Sequence, residues 1–334
     1  MPRSRHLPAI TLVAIALAAA VAFAVAAGAA GGPVAANGAP VQLFASGVQT
    51  PTSFAWDGPT MFVGEGPADP AMTPGGLFTL AGGTATKVPG SPENVYGLAW
   101  HYGSLYVSTG PTIEAMSGWD GTQFASIKTI WSGSPQFYGF NGIAFGPDGR
   151  LYAALSLKEP TYDHAKDPYR LSQAVVSMTA AGKHLRILAR GIRQPFQLNF
   201  PEGARWPYVT DLGQDAGAIP PDEIVVAKPG QNYGFPTCTW LVLSKCKGFK
   251  RPKILLPQHA SPMGISSVGH TLYVALFMGI GASGFNPEVV TIPTAGGTPT
   301  PFVTGFGNQI IALGIHAGKL YVGDLNGQIF EVAL

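Results

Sequence analysis

The sequence predicts an all-β fold, a six-bladed β-propeller, and three observations carry that prediction. A unit of two short apolar strands around a tight turn recurs six times. The recurrences start 44, 45, 55, 66 and 49 residues apart, the length of a four-stranded blade. Gly (44) and Pro (30) are abundant among the 334 residues, which favours turns over long helices.

The units run in order from "PTSFAWDGPTMFVGEG" at Pro51 and "VYGLAWHYGSLYVSTG" at Val95 to "FNGIAFGPDGRLYAAL" at Phe140. They continue with "PFQLNFPEGARWPYVTD" at Pro195, "SPMGISSVGHTLYVALF" at Ser261 and "IIALGIHAGKLYVGDL" at Ile310. Within a unit, alternating apolar residues such as Leu105 and Val107 face one side of a sheet. The turns "HYGS", "PDGR" and "HAGK" put Gly where a positive φ is required. Further strands follow the hairpins, as in "GLFTLAGG", "AVVSMTAAG" and "EVVTIPTAGG". A lone strand, "VQLFASG" (41–47), precedes the first unit, and the chain ends on another, "QIFEVAL". The N-terminal strand is therefore expected to complete the last blade and cover its open edge. An irregular β-sandwich or a pair of small β domains would not need so even a recurrence. The wider spacings follow the third and fourth units, so the extra loops, where function concentrates, lie there.

Two segments stand outside the blades. Arg3, Arg5 and His6 precede the apolar run "LPAITLVAIALAAAVAFAVAAGAAGG". Residues 1–36 therefore read as a secretory signal cleaved near Ala27, Ala30 or Ala36, or as an uncleaved membrane anchor. Either reading places the propeller, residues 41–334, outside the cytoplasm, as a secreted, periplasmic or outward-facing anchored protein. No Cys stands directly after the run, which excludes a bacterial lipid anchor. Cys238 and Cys246, eight residues apart, are expected to form a local disulfide in an oxidising compartment. The other reading, a metal pair, has no third Cys and no intervening His to support it. Charged residues make up 11% and the net charge is +2, with "KCKGFKRPK" (245–253) the longest basic cluster. Such a balance excludes a nucleic-acid partner. His101, His270 and His316 fall in or near hairpin turns and are expected at the surface.

Residues 191–236 break the charge-poor pattern with "GIRQPFQLNF", "VTDLG", "DEI" and "GQNYGFP". This ordered block resembles the soluble quinoprotein glucose/sorbosone dehydrogenases, the PQQ-dependent aldose sugar dehydrogenase type. Their pattern reads G-x-R-N-P-x-G-L-x-F, an acidic-Gly turn, D-E-I/L and G-x-N-Y-G-W-P. Blade-level matches occur at "GIAFGPDGRLY" and "HASPMGI". The resemblance implies pyrroloquinoline quinone (PQQ) over the central axis, a calcium ion against it, and a small-molecule sugar or alcohol substrate. A His takes the substrate proton, and an Arg beside the quinone oxygen stabilises developing charge.

Carried onto this chain, the pattern makes Arg193 catalytic and cofactor-binding. Its other reading is a buried Arg paired with Asp211 or Glu223. Gln194 stands where the family has Asn at the cofactor. Gly213 and Gln214 fall at the turn whose carbonyls hold calcium, with Gln in place of Pro. Asp222, Glu223 and Tyr233 lie in segments that supply further oxygen ligands; for Asp222 and Glu223 the alternative is a loop-organising pair.

The departures are specific. The family's base His aligns with Tyr138 or a neighbour, and no His occurs between His101 and His164. Tyr is a poor general base at neutral pH. His259, in "PQHASPMGI", is the substitute base or metal ligand, or else a hydrogen-bonded loop residue. His164, with Asp163 and Asp167, is a metal candidate or plain loop polarity. From Ile254 to Leu334 the sole Lys or Arg is Lys319, so the cations that clamp the quinone carboxylates are missing.

Three functions compete. The first is a PQQ- and calcium-dependent oxidoreductase acting on sugar CH–OH groups. The second is a non-catalytic propeller that binds a carbohydrate or protein, with Trp119, Trp131, Tyr138 and Trp240 as stacking surfaces. The third is a lactone hydrolase with a metal held by Glu65, Asn141 and Asp211. The sequence does not set an oligomeric state.

Overall fold

The computed structural model of the chain describes residues 31–67, 74–133, 140–156, 170–214, 219–280 and 285–334. Most of the leader, together with Tyr138, Asp163, His164 and Asp167, lies outside the described residues.

Each predicted unit supplies the two inner strands of a blade, and two outer strands complete it. Blade 1 comprises Pro51–Asp57, Thr60–Glu65, Leu77–Ala81 and Thr84–Lys87. Blade 2 comprises Gly97–His101, Ser104–Ser108, Thr112–Trp119 and Phe124–Ser132. Blade 3 comprises Phe140–Phe145, Arg150–Leu155, Ala174–Thr179 and Arg186–Arg190. Blade 4 comprises Pro195–Asn199, Tyr208–Asp211, Glu223–Val226 and the short Ile254–Leu255. Blade 5 comprises Pro262–Val268, Thr271–Leu276, Glu288–Pro293 and Thr300–Thr304. Blade 6 has three C-terminal strands, Ile310–His316, Lys319–Asp324 and Gln328–Ala333. Its fourth is Gln42–Ser46 from the N-terminus, antiparallel to Gln328–Ala333 with Leu43 opposite Phe330. The expected closure is thus present.

The first strands of successive blades pack side by side around the axis, and Ile310–His316 returns onto Pro51–Asp57. Three pairings were not anticipated. Ser46 of the N-terminal strand also pairs in parallel with Thr84 at the edge of blade 1. Val34–Ala35 adds to the outer strand of blade 5, with Val34 opposite Thr304, so ordered structure begins before residue 41. Gln231–Asn232 adds in parallel to the edge of blade 3.

Near-continuous apolar runs such as Leu105–Val107 and Leu151–Leu155 are buried on both faces of their blades, and the core is consequently a ring of layers between blades. Phe62, Leu98 and Leu105 fill the space between blades 1 and 2, and Tyr106, Ile143 and Leu151 that between 2 and 3. Tyr152, Leu198 and Val209 join blades 3 and 4. Ile224, Ile265 and Val274 join 4 and 5, while Val289, Leu313 and Val322 join 5 and 6. Phe54, Met61 and Tyr321 seal the last gap, between 6 and 1. Each fully buried aliphatic or aromatic side chain contributes about 1.5–3 kcal/mol, and each layer holds only its two neighbours together. Trp56 lies so close over Gly314 that a Cβ there would sit 2.6 Å from the indole. His101 stacks on Phe145 at 3.7 Å and His316 on Trp56 at 5.1 Å. Both imidazoles are half-buried blade joints, a correction to the surface role expected of them.

One side chain divides the axial channel. Gln197 of blade 4 reaches across it, and its Nε2 donates to the carbonyls of Tyr96 (3.2 Å) and Thr52 (3.4 Å). On one side of Gln197 lie the loops that enter the first strands. On the other is an open chamber of about 370 Å³ whose lining includes Trp56, Trp100, Phe145, Asn199 and Ser266.

Candidate functional site

The first two strands of blade 4 run antiparallel with Pro195 opposite Asp211, and Asp211 lies opposite Glu223 in the third. This register gathers the 191–194 entry loop, the 211–214 turn and the 222–223 strand start at one end of the blade. Gly191 adopts φ +67°, and a Cβ there would collide with Asn232 and the Gly234 amide. Only Gly permits that approach.

Asp211 is almost wholly buried. Its carboxylate accepts from the backbone amides of Gln194 (2.7 Å) and Arg193 (3.1 Å). Arg193 is buried as well. Its Nη1 donates to the carbonyls of Gly213 (2.5 Å) and Leu212 (2.8 Å) and to Gln194 Oε1 (3.2 Å). Asp222 accepts from Gly213 N (2.5 Å) and from Ser261 N (2.7 Å), tying the turn to the entry of blade 5. Asp222 therefore organises the loops around it. Glu223, also buried, accepts no hydrogen bond from the described residues.

The electrostatics follow from that burial. Burial pushes the Asp211 carboxyl up to about 7, against the pull of the Gln194 amide and the Arg193 charge. Glu223 is held well above the usual carboxylate range, first by burial and then by the charges of Asp211 and Asp222. Burial also raises the Tyr233 hydroxyl, with a further push from Glu223.

Between these groups is a cavity of about 20 Å³ lined by Arg193, Asp211, Gly213, Gln214, Glu223 and residues of the disulfide loop. That volume holds a single water or ion. The sequence-derived candidates thus separate. Arg193, Gly213, Gln214 and Glu223 line the cavity. Gln194 and Asp222 brace it from outside the lining. Tyr233 is turned away: its hydroxyl donates to Val226 O and Gln231 Oε1, and its carbonyl accepts from Trp240 Nε1 at 3.2 Å. His259 is half-buried at φ +59° in the turn two residues before Ser261, beside the site and not in the lining. Tyr138 lies outside the described residues. Trp240 is buried under the disulfide loop and Trp119 packs on Phe62 and Phe124, so neither presents a stacking face.

Sequence reasoning missed a device that recurs at this end of the ring. Glu65 accepts from Gln49 N (2.7 Å), Glu288 from Ile280 N (2.9 Å), and Asp324 from Gln328 N (2.9 Å) and Asn326 N (3.0 Å). Each of these buried carboxylates ties loop backbone at its blade end, as Asp211 does in blade 4. A signal existed: "VGE", "VTD" and "VGD" close the second strands of blades 1, 4 and 6. Asn141 Nδ2 likewise donates to Pro195 O at 2.8 Å. Glu65, Asn141 and Asp211 are each engaged with backbone in separate blades. Among the described residues no group of three or more His, Cys, Asp or Glu side chains is set to hold a metal.

No family model and no curated protein matches the chain. Solved structures do. The chain is similar to the PQQ-bound form of aldose sugar dehydrogenase from Streptomyces coelicolor, with a TM-score of 0.70 and 23% identity over 88% of this chain and 98% of that one. The fold is the one these quinoprotein dehydrogenases share. The PQQ domain of pyranose dehydrogenase from Coprinopsis cinerea, in its holo form, gives a TM-score of 0.71 at 15% identity, covering 90% and 97%. A luciferin-regenerating enzyme gives 0.58 at 15% identity, covering 89% and 96%. One fold thus carries unlike chemistries, and function must be argued from the site.

Proposed function

We propose that the chain is an extracytoplasmic oxidoreductase of the glucose/sorbosone dehydrogenase type, binding calcium and PQQ at the axial end of blade 4 and acting on sugar CH–OH groups. The observation that carries this reading is Glu223, a buried carboxylate with no described hydrogen-bond donor, facing a cavity of one-ion size beside the Gly213–Gln214 turn. It stands in a fold whose Streptomyces and Coprinopsis neighbours hold PQQ.

The donor set fits calcium. The Glu223 carboxylate and the carbonyls of Gly213 and Gln214 are hard oxygen ligands. A divalent cation would also offset the repulsion among Asp211, Asp222 and Glu223, the force that raises Glu223 beyond burial alone. PQQ, when bound, supplies the two-electron acceptor for alcohol oxidation. The chain's part is to position it. Arg193 offers a buried cation whose backbone is fixed by Asp211 and whose guanidinium is fixed by the Leu212 and Gly213 carbonyls. His259, on the loop that Asp222 ties to the site, is assigned as proton acceptor, with Tyr138 as the other sequence-derived assignment. The Cys238–Cys246 disulfide supports an oxidising compartment.

A second reading, a non-catalytic calcium-bound propeller with a carbohydrate or protein ligand, is favoured by how the cations are used. The Arg193 guanidinium is committed to backbone carbonyls, and Lys319 pairs with Glu331 at 2.9 Å in an exposed hairpin. One experiment separates the two. Purified protein is supplied with calcium and PQQ, and quinone binding is followed by absorbance while dye reduction is measured with a panel of aldoses. Turnover supports the oxidoreductase. Calcium binding without quinone binding establishes the second reading, and absence of both refutes the site.

A further inference from the structure

The segment 237–253 of blade 4 has a composition the axial site does not explain. It holds Lys245, Lys247, Lys250, Arg251 and Lys253 and no carboxylate, in a chain whose net charge is only +2. All five cations are exposed, and among the described residues none of them pairs with a carboxylate. Ahead of them stand three consecutive aliphatic residues, Leu241, Val242 and Leu243, exposed at 39%, 46% and 64%.

This tip is braced. The Cys238–Cys246 disulfide closes the loop. Beneath it Cys238, Trp240 and Cys246 are buried and pack with Phe249 and Leu255, and Trp240 Nε1 is tied to Tyr233 O. The fold therefore spends a small satellite core on holding apolar side chains out in water. That arrangement is unfavourable unless something covers them.

We propose that the Leu241–Leu243 tip inserts into an anionic membrane surface, with the five cations as the collar that meets the lipid headgroups. This proposal is independent of the oxidoreductase reading. Two features select a bilayer over an acidic protein. The tip is aliphatic and exposed, without the aromatic anchors that dominate protein interfaces, and those interfaces are depleted in Lys. The collar is four Lys to one Arg, and Lys stems lie along apolar surface while the ammonium stays at the headgroups. Cys238 and Thr239 also line the axial cavity, so the docked membrane would lie beside the candidate site.

The test is co-sedimentation of the protein from residue 31 onward, which keeps every described strand, with vesicles of phosphatidylcholine alone or with about three parts in ten phosphatidylserine, a strongly anionic surface. Removing the apolar leader leaves the loop to decide the binding, since the leader would hold every variant on a bilayer. Binding is expected to be stronger on the anionic vesicles and to fall with salt. At about fivefold per cation, Lys245→Gln, Lys247→Gln and Lys250→Gln together weaken it about a hundredfold. Replacing Leu241, Val242 and Leu243 with Ser weakens it about tenfold or more, with the thermal transition unchanged. Leu243→Trp fluorescence should be quenched by brominated acyl chains. Equal binding by wild type and both triple variants overturns the proposal. So does binding that depends on charge but not on the aliphatic tip, which would point to an acidic polymer or protein partner.

Discussion

Replacing Arg193 with Met removes the cation but keeps much of the volume, and the structure sets the cost. Among the described residues, its guanidinium bonds to Gln194 Oε1, Leu212 O and Gly213 O vanish. Each buried carbonyl left without its donor costs about 1–3 kcal/mol, and removing one member of a buried charged set costs about 3–5 kcal/mol. The losses overlap, so the sum is taken as about 4 kcal/mol, or roughly 6 °C in Tm for a chain of this size. Protonation of Asp211 caps the loss. Its folded pKa, about 7, lies above its unfolded value of 3.8, so the folded state binds this proton more tightly and Asp211 erodes stability as pH rises from about 4 to 7. Arg193 lowers that folded pKa, which makes its contribution largest where Asp211 is ionised. Urea unfolding in EDTA should therefore show a larger cost at pH 8 than at pH 5, with Arg193→Lys intermediate. A cost below about 1 kcal/mol, or one equal at the two pH values, would refute the account of Arg193 as the cation that holds the blade 4 turn.

Gly142→Ala should destabilise by about 1–3 kcal/mol, because its Cβ would collide with the Gln197 amide and come within 2.9 Å of Gln197 Cα. Adding Gln197→Ala should relieve only part of that cost, which a double-mutant cycle in urea measures. Converting both Cys238 and Cys246 to Ala opens a loop with sequence separation 8 and should cost about 2.5 kcal/mol by chain entropy, read as a drop in Tm. Asp324 is raised above 3.8 by burial, against the pull of the Gln328 and Asn326 amides. Its folded state holds the proton more tightly, so the wild type loses stability as pH rises through the carboxylate range. Asp324→Asn should lose less between pH 4 and pH 7, as followed by thermal unfolding.

The blades were legible because each is a local object. The strand–turn–strand pattern, the Gly turns and the spacing lie within about fifty residues, and "VQLFASG" stood alone with no partner but the final strand. The disulfide was legible for the same reason. The axial closure was not. Gln197 reaches Thr52 and Tyr96, which are 145 and 101 residues away, and nothing local in "PFQLNF" marks a side chain that crosses a channel. His101 and His316 look like turn residues in the sequence, yet neighbouring blades supply Phe145 and Trp56 as stacking partners. The block from Gly191 to Pro236 holds most residues of the cavity lining, but which acid faces the cavity is a matter of tertiary hydrogen bonding. Asp211 and Asp222 serve backbone amides, whereas Glu223 is left to the cavity. The Tyr233 carbonyl accepts from Trp240, seven residues on, a contact that nothing in "GQNYGFP" announces.

The most direct measurement of the central claim is calorimetric titration of calcium into metal-free protein, for the wild type and Glu223→Gln. The wild type should bind one calcium per chain at the cavity and gain about 2.7 kcal/mol of stability at a hundredfold excess over Kd. The Gln variant should be at least as stable in EDTA, since it removes a carboxyl whose ionisation is opposed by burial and by Asp211 and Asp222, and should lose that calcium response. Equal calcium binding by both proteins, or none by either, would contradict the assignment of Glu223 and its cavity as the cation site.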